Sequence, residues 1–399
     1  MKIIFLAFAC RPESGSEDAV GWNWILEAAK YYDITVVTKT EFKKDIESKH
    51  TNINFLYVDS NEKWHDISIY YEYIMWQKKA YKYLKSINCS AKYDYLWYIT
   101  FGNIILPAYV YKLNIPIIWG PVGGTDQIVD VFYKKMKFKE KFPVQIVRKL
   151  ILKTLNINYI FNRMCDKSKI IIVRTKDTVS YIPPQYRYKI ITHLETAIDS
   201  QDVIKYIENK NIFLNKDKIN LVYTGQLIGR KNVSSLIDAF VKSVDKNNNL
   251  VLNIVGDGPL IGELKEQARS NDKIVFWGRC DRKKTLQILA ESDIYVFPSL
   301  IDTLTFSLLE SMVLAKPIIC FDVSGMKIAL DDSFARKIPV LNYNQCIDEF
   351  ARSILELSNE PKNRKKMGEC AREYVEKNYN WNEIGKFIHN TISGGNNEV

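Results

Sequence analysis

The chain has 399 residues, 47% of them hydrophobic and 26% charged, which allows two cored domains and fits a water-soluble globular protein. Its seven Cys stand singly without CxxC spacing, and its four His (His50, His65, His193, His389) contain no pair at metal-ligand spacing. That pattern argues against a disulfide scaffold, a zinc site and a His-based triad, while a net charge of +10 permits an anionic partner without a nucleic-acid recognition motif.

In chain order, the opening M-K-I-I-F-L-A-F-A-C has an apolar core of only Ile3 to Ala9 before Arg11-Pro12-Glu13. A first β-strand is expected rather than a signal peptide. The loop R-P-E-S-G-S-E follows, then a helix-period run through Ile25, Leu26, Ala28 and Ala29. Gly15 and Ser16 let a ligand approach the backbone. The spacing is not GxGxxG, and a plain turn with Glu17 at a helix start accounts for the same residues. Further strands are expected at 34–38, 55–58, 95–100, 115–119 and 170–174, and the stretch 190–198 leads to Asp199. A helix over 70–84 carries Tyr73, Trp76, Gln77, Ala80, Tyr81 and Leu84, which read as packing.

The second half repeats the alternation. A strand at 219–223 runs into Gly225, Gln226, Arg230 and Lys231. A lysine at a helix start opposes the positive dipole end unless an anion binds there; a solvated side chain is the alternative. Strands at 252–255 and 274–277 end in Gly256-Asp257-Gly258-Pro259 and Gly278-Arg279. Strands at 294–297 and 318–321 bracket a run with Leu308, Leu309, Met312 and Val313 at helical spacing, a βαβ unit whose loop lies at the carboxyl edge of a parallel sheet. That loop holds Asp302 and two candidate N-caps, Thr303 and Thr305, with Glu310 eight positions after Asp302. The N–H groups of Phe306, Ser307 and Leu308 are first-turn donors suited to an anion. Two carboxylates beside an anion site make sense if the ligand also presents hydroxyls, as a sugar nucleotide does. A helix with one exposed Glu after a loop Asp fits the spacing equally well.

Pro298, Ser299, Asp302, Glu310, Met312, Pro317 and Gly325 resemble the E-x7-E signature of retaining GT-B glycosyltransferases of family 4. Asp302 stands for the first Glu, Thr303-Leu304-Thr305 for Gly-aromatic-Gly, and Ala315 for a Gly. The resemblance covers most of the chain and is densest over 221–325. It takes in Gly15-Ser16-Glu17, a W-G-P-V-G-G loop without the family's His, and Gly225 with Lys231, where Gln226 replaces an Arg and Arg230 adjoins the Lys. It also takes in the Gly256–Gly258 and Gly278-Arg279 loops, Ile198-Asp199 and Tyr379-Asn380-Trp381.

The resemblance implies an α/β GT-B fold: two Rossmann-like, doubly wound domains facing a central cleft. Residues 1–199 would bind acceptor and 200–378 the nucleotide sugar, with 379–399 a helix crossing back and a tail. Asp302 would meet the donor sugar, Glu310 the ribose, and Lys231 and Arg230 the diphosphate. Gly15, Ser16, Gly225, Gln226, Gly256, Gly258, Gly278, Arg279, Thr305, Phe306, Ser307 and Leu308 would line the donor. The implied reaction is retaining hexosyl transfer from a UDP- or GDP-sugar to a glycan or polyprenyl-diphosphate-linked acceptor in bacterial surface-polysaccharide assembly. A same-fold epimerase and a non-catalytic sugar-nucleotide scaffold are the alternatives. No D-x-D motif occurs, so no obligatory metal or other cofactor is expected.

The charge is also concentrated. Residues 131–170 hold eleven Lys or Arg (Lys134, Lys135, Lys137, Lys139, Lys141, Arg148, Lys149, Lys153, Arg163, Lys167, Lys169) against Glu140 and Asp166. Phe132, Tyr133, Phe138 and Phe142 are interleaved, and Val144, Val147, Ile151 and Leu155 share a helical face. This suits an interfacial helix on an anionic membrane, hence a cytoplasmic enzyme peripheral on the inner face of the cell membrane; a solvated basic face packed on its domain is the alternative.

Overall fold

The computed structural model describes residues 1–60, 68–106, 108–135, 144–207, 213–269 and 271–394, with the side chains of 135 and 144–147 not described. The chain forms two compact units. One comprises Met1–Asp126, Val144–Thr196 and Trp381–Val399, the other Gln127–Pro143 and Ala197–Asn380.

The first unit is built on β1 (Lys2–Ala7), β2 (Asp33–Lys39), β3 (Asn54–Val58), β4 (Tyr95–Ile99), β5 (Ile117–Val122), β6 (Ser168–Val173) and β7 (Ile190–Thr192). They lie in the order β3-β2-β1-β4-β5-β6-β7, all parallel. Ile3 to Ala7 are all fully buried, as expected of a parallel strand covered on both faces. Helix Ser16–Ala29 packs against the last helix, Trp381–Ser393. Trp24 on the former meets Phe387 on the latter, with ring centroids 6.2 Å apart.

The second unit holds β8 (Ile219–Thr224), β9 (Leu250–Val255), β10 (Ile274–Gly278), β11 (Ile294–Phe297), β12 (Ile318–Phe321) and β13 (Ala335–Ile338). Their order is β10-β9-β8-β11-β12-β13, again all parallel. Helix Phe306–Val313 connects β11 to β12 and buries Leu308, Leu309, Met312 and Val313, the positions its spacing predicts. In each sheet the order reverses once, between β1 and β4 and between β8 and β11. A reversal of this kind opens a crevice at the carboxyl ends of the strands, where such folds bind ligands.

Several boundaries differ from the sequence reading. β5 starts at Ile117 and runs through Gly120-Pro121 to Val122, which pairs with Val173 across a register shift. Within the stretch 190–198, Ile190–Thr192 forms a strand, β7, that the sequence reading does not name. β13 has no apolar run to announce it; it is an edge strand, and Arg336 and Lys337 remain half-buried there.

The units divide after Thr196, not after residue 199, and the return begins at Trp381, not at 379. Tyr379 is anchored in the second unit, its carbonyl accepting from Ile198 N (2.8 Å) and its hydroxyl donating to the Ala329 carbonyl (3.0 Å).

The basic segment is corrected in part. Phe132 is buried against Phe321 and Tyr343 (centroids 4.9 and 5.6 Å), and Leu155 is buried in the turn Leu155–Ile157, so neither is an exposed contact. Helix Val144–Lys153 forms, and among the described residues the large apolar side chains exposed nearby are Leu150, Ile157 and Tyr159. Lys137, Phe138, Lys139, Glu140, Lys141 and Phe142 lie outside the described residues, as do the side chains of Lys135, Val144 and Val147. Among the described residues no helix is long and apolar enough to cross a membrane.

Candidate functional site

At the β8/β11 reversal, the loop after β8 brings Arg230 and Lys231 to Asp302 in the loop after β11. Lys231 is buried, not solvated, and its Nζ lies 2.5 Å from Asp302 Oδ2. Arg230 Nη1 donates to Asp302 Oδ1, and the Ser299 hydroxyl donates to Oδ2. Burial alone would raise the Asp302 carboxyl, but Lys231 and Arg230 outweigh it and hold it below the ordinary value. Burial lowers the Lys231 ammonium, against the pull of Asp302. The anion required beside Lys231 is thus supplied from within the chain. Two cations against one carboxylate still leave a positive charge, and the Arg230 side chain is 36% exposed.

Glu310 points from helix Phe306–Val313 toward Arg282, with Oε1 3.5 Å from a guanidinium nitrogen that is also 3.2 Å from Asp202. Burial pushes the Glu310 carboxyl up to about 7, Arg282 drawing it down and Asp202 adding to the rise. Such a group holds its charge weakly until a hydrogen-bond donor arrives.

Thr305, not Thr303, caps the helix: its hydroxyl accepts from Leu308 N at 3.4 Å and its carbonyl at 3.1 Å. The Leu308 amide is therefore taken, which leaves Phe306 and Ser307 as first-turn donors. The Ser307 hydroxyl accepts from Tyr295 Oη (3.1 Å), which also lies 3.3 Å from Thr224 Oγ1, so the cap is tied across β11 to β8.

The other expected loops close on the same edge. Gly225 N donates to Val255 O (3.0 Å) and Gly256 N to Gly278 O (2.8 Å), which links the ends of β8, β9 and β10. Gly256 has φ +143°, and a Cβ there would sit 1.8 Å from the Gly225 carbonyl oxygen, so no other residue fits. Gly258 is packed in the same way against Leu227. Gln226 and Arg279 are exposed at the rim. Among the described residues no group of three or more His, Cys, Asp or Glu is placed to hold a metal ion.

Gly15 and Ser16 lie in the first unit, at the β1/β4 reversal. Space around Gly15 is open, and Ser16 takes the left-handed conformation (φ +58°). Glu13, Thr100 and Phe101 do the same (φ +53°, +59° and +49°), a clustering of unfavourable backbone typical of functional loops. Beneath them is an ionic cluster. Arg174, just past β6, has Nη2 3.0 Å from Glu17 Oε1 and Nε 3.0 Å from Glu195 Oε1. The Phe101 amide donates to the other Glu17 oxygen (3.4 Å). Burial pushes the Glu195 carboxyl up to about 7; Arg174 pulls it down, and Glu17 and Asp126 push it up. Arg174 underlies the Gly-rich loop as well, since a Cβ on Gly123 would meet its Cδ at 3.0 Å.

Residues 205–374, most of the second unit, match the family model described as glycosyl transferases group 1. The match spans under half of the chain, and through it the second unit is similar to the group 1 glycosyl transferases. It is 31% identical over 175 residues to an uncharacterized glycosyltransferase of Methanocaldococcus jannaschii, 43% of this chain and 44% of that one, so it spans about half the length of the curated relatives it matches. Among solved structures it resembles HepE of Anabaena in complex with UDP (TM-score 0.63, 14% identity, 99% and 100% of the two chains covered). It also resembles the lipopolysaccharide outer core galactosyltransferase WaaB (TM-score 0.65, 14% identity, 99% of each chain). Likeness at that identity fixes the fold, which is GT-B.

The expected residues fall into two sets. Arg230, Lys231 and Asp302 are in mutual contact, and Gly225, Gly256 and Gly278 join the loops beside them. Gly15 and Ser16 belong to the other unit. Sequence reasoning missed Arg282 and Asp202 beside Glu310, distant in the chain and without a motif. It also missed Arg174 and Glu195, although a charged residue directly after I-I-I-V was a visible signal.

Proposed function

We propose that this chain is a retaining hexosyltransferase that moves a sugar from a UDP- or GDP-sugar to a glycan acceptor. The observation that carries the reading is the Arg230–Lys231–Asp302 cluster at the β8/β11 reversal, inside the segment matched by the group 1 model. In the transfer the bond from the anomeric carbon to the diphosphate oxygen breaks and a bond to an acceptor hydroxyl oxygen forms. The hydroxyl proton leaves with the nucleoside diphosphate. Charge then develops on the diphosphate, and a preorganised cationic pair with the Phe306 and Ser307 amides suits it. Glu310 accepts from the ribose hydroxyls. Asp302 carries two tasks in this reading: it orders the two cations and meets the donor sugar once phosphate oxygens relieve it of Arg230. Arg230 and Lys231 also do the work of a metal ion, so turnover survives excess chelator.

The first unit takes the acceptor, and the likeness in fold to WaaB, a lipopolysaccharide outer core galactosyltransferase, supports a lipid-linked glycan in that role. Exposed Leu150, Ile157 and Tyr159 beside Lys153 and Lys167 suit contact with the anionic inner face of the cell membrane. The deciding assay incubates the full chain with each donor, with and without polyprenyl-diphosphate-linked sugars, and measures free nucleoside diphosphate. Release that requires acceptor, with a mass gain of one hexose on it, is expected. A change of sugar without release supports the epimerase, and donor binding without either supports the scaffold.

A further inference from the structure

The donor loops occupy the carboxyl edge of the second sheet. At the opposite edge, where β8 and β11 begin, lies a cavity of about 470 Å³. Asn220 and Asp293 form its floor, Glu291 one wall, and Lys216, Lys218 and Arg372 a basic rim. The volume is that of a small-molecule site.

The two acids are already engaged. Glu291 Oε2 accepts the N–H groups of Phe213 and Leu214 (2.8 Å each), and Asp293 Oδ2 accepts that of Asn220 (2.8 Å). The cations are not. Among the described residues the Lys216 and Lys218 side chains form no ion pair or hydrogen bond. Arg372 uses only Nε, on the Val313 carbonyl at 2.8 Å, which leaves both terminal nitrogens of its fork. Nearby, Lys316 is half-buried, its Nζ bonded to the Ala290 and Ser292 carbonyls (2.7 and 2.6 Å). Burial pushes its ammonium down to about 8, Asp293 drawing it back up and Arg372 lowering it further. The lining sets three cations, Lys216, Lys218 and Arg372, against the two carboxylates, and the surplus positive charge suits an added anion.

We propose that this cavity is a second ligand site, for a small soluble phosphorylated molecule whose phosphate is held by Lys216, Lys218 and the Arg372 fork. A guanidinium presents parallel donors to phosphate oxygens, and the lysines add point charges. The wall and floor supply polar atoms for the rest of the molecule. The site is independent of the donor site, and the two are separable by mutation.

The test is calorimetric titration of the full chain with glycerol 3-phosphate and with pyrophosphate, repeated on Arg230→Gln and on Lys216→Gln/Lys218→Gln. Both lysines are exposed or half-buried, so the double variant keeps its fold, which circular dichroism checks. Binding should persist in Arg230→Gln and weaken by about tenfold or more in the double variant. Binding abolished by Arg230→Gln alone, equal binding by all three proteins, or no binding of either anion to the native chain overturns the proposal.

Discussion

Asp302 is buried and the Glu310 side chain is 12% exposed, yet their surroundings move the two carboxyls in opposite directions. The folded chain holds the Glu310 proton up to about pH 7, whereas the ordinary value is 4.5. Its favourable share of stability is therefore fully present below 4.5 and lost as pH rises toward 7. Glu310→Gln should remove that slope: relative to the native chain it gains stability at pH 8 over pH 5, read from urea midpoints. It should also lose pH dependence in nucleotide binding, because ribose hydroxyls favour the ionised carboxylate and native affinity rises through pH 7. Asp302→Ala leaves Lys231 buried with only Arg230 nearby. It should cost about 2–3 kcal/mol by the same measurement, a value discounted for the partial exposure of Arg230. A fall in stability of under about 0.5 kcal/mol, the scale of an ordinary surface change, would mean that Asp302 does not hold the cations.

At the scale of elements, the helix after β1, the loop after β5 and the segment after β7 meet one side chain, Arg174, through Glu17, Gly123 and Glu195, and Glu17 adds the Phe101 amide after β4. Arg174→Met should cost about 3 kcal/mol, more at pH 8 than at pH 6, because the released Glu195 must then stay neutral against a rising pH. Adding Glu195→Gln should recover part of the loss, and no recovery would place the destabilisation elsewhere. Strands with continuous apolar runs, such as Ile294–Phe297 and Ile318–Phe321, were legible to the residue because both faces are covered. β13 was not, since an edge strand needs only one apolar face. Nor was β7, because it covers only Ile190–Thr192 and 193–198 stays largely buried without being strand. Strand-terminal glycines were legible in position, but the Glu310–Arg282–Asp202 grouping was not. It depends on how three separate elements meet, which local pattern does not encode.

At the scale of the whole chain, the two units differ in how much the comparisons say of them: the family model covers the second, and the likeness in fold spans both. The proposed membrane contact rests on residues 144–170 of the first unit, where Leu150, Ile157 and Tyr159 are exposed, and no longer on the buried Phe132 and Leu155. Co-sedimentation with vesicles should rise with anionic lipid, fall with salt, and weaken when these three are changed together to Ser. Equal binding to neutral and anionic vesicles would remove the membrane from the account.

The claim on which the rest stands is that the β8/β11 reversal binds a nucleoside diphosphate. Calorimetric titration of the full chain with UDP and with GDP, in excess chelator, tests it most directly. One of the two should bind, with affinity reduced about tenfold or more in both Arg230→Gln and Glu310→Gln. No binding of either nucleotide, or binding indifferent to both substitutions, would contradict the account.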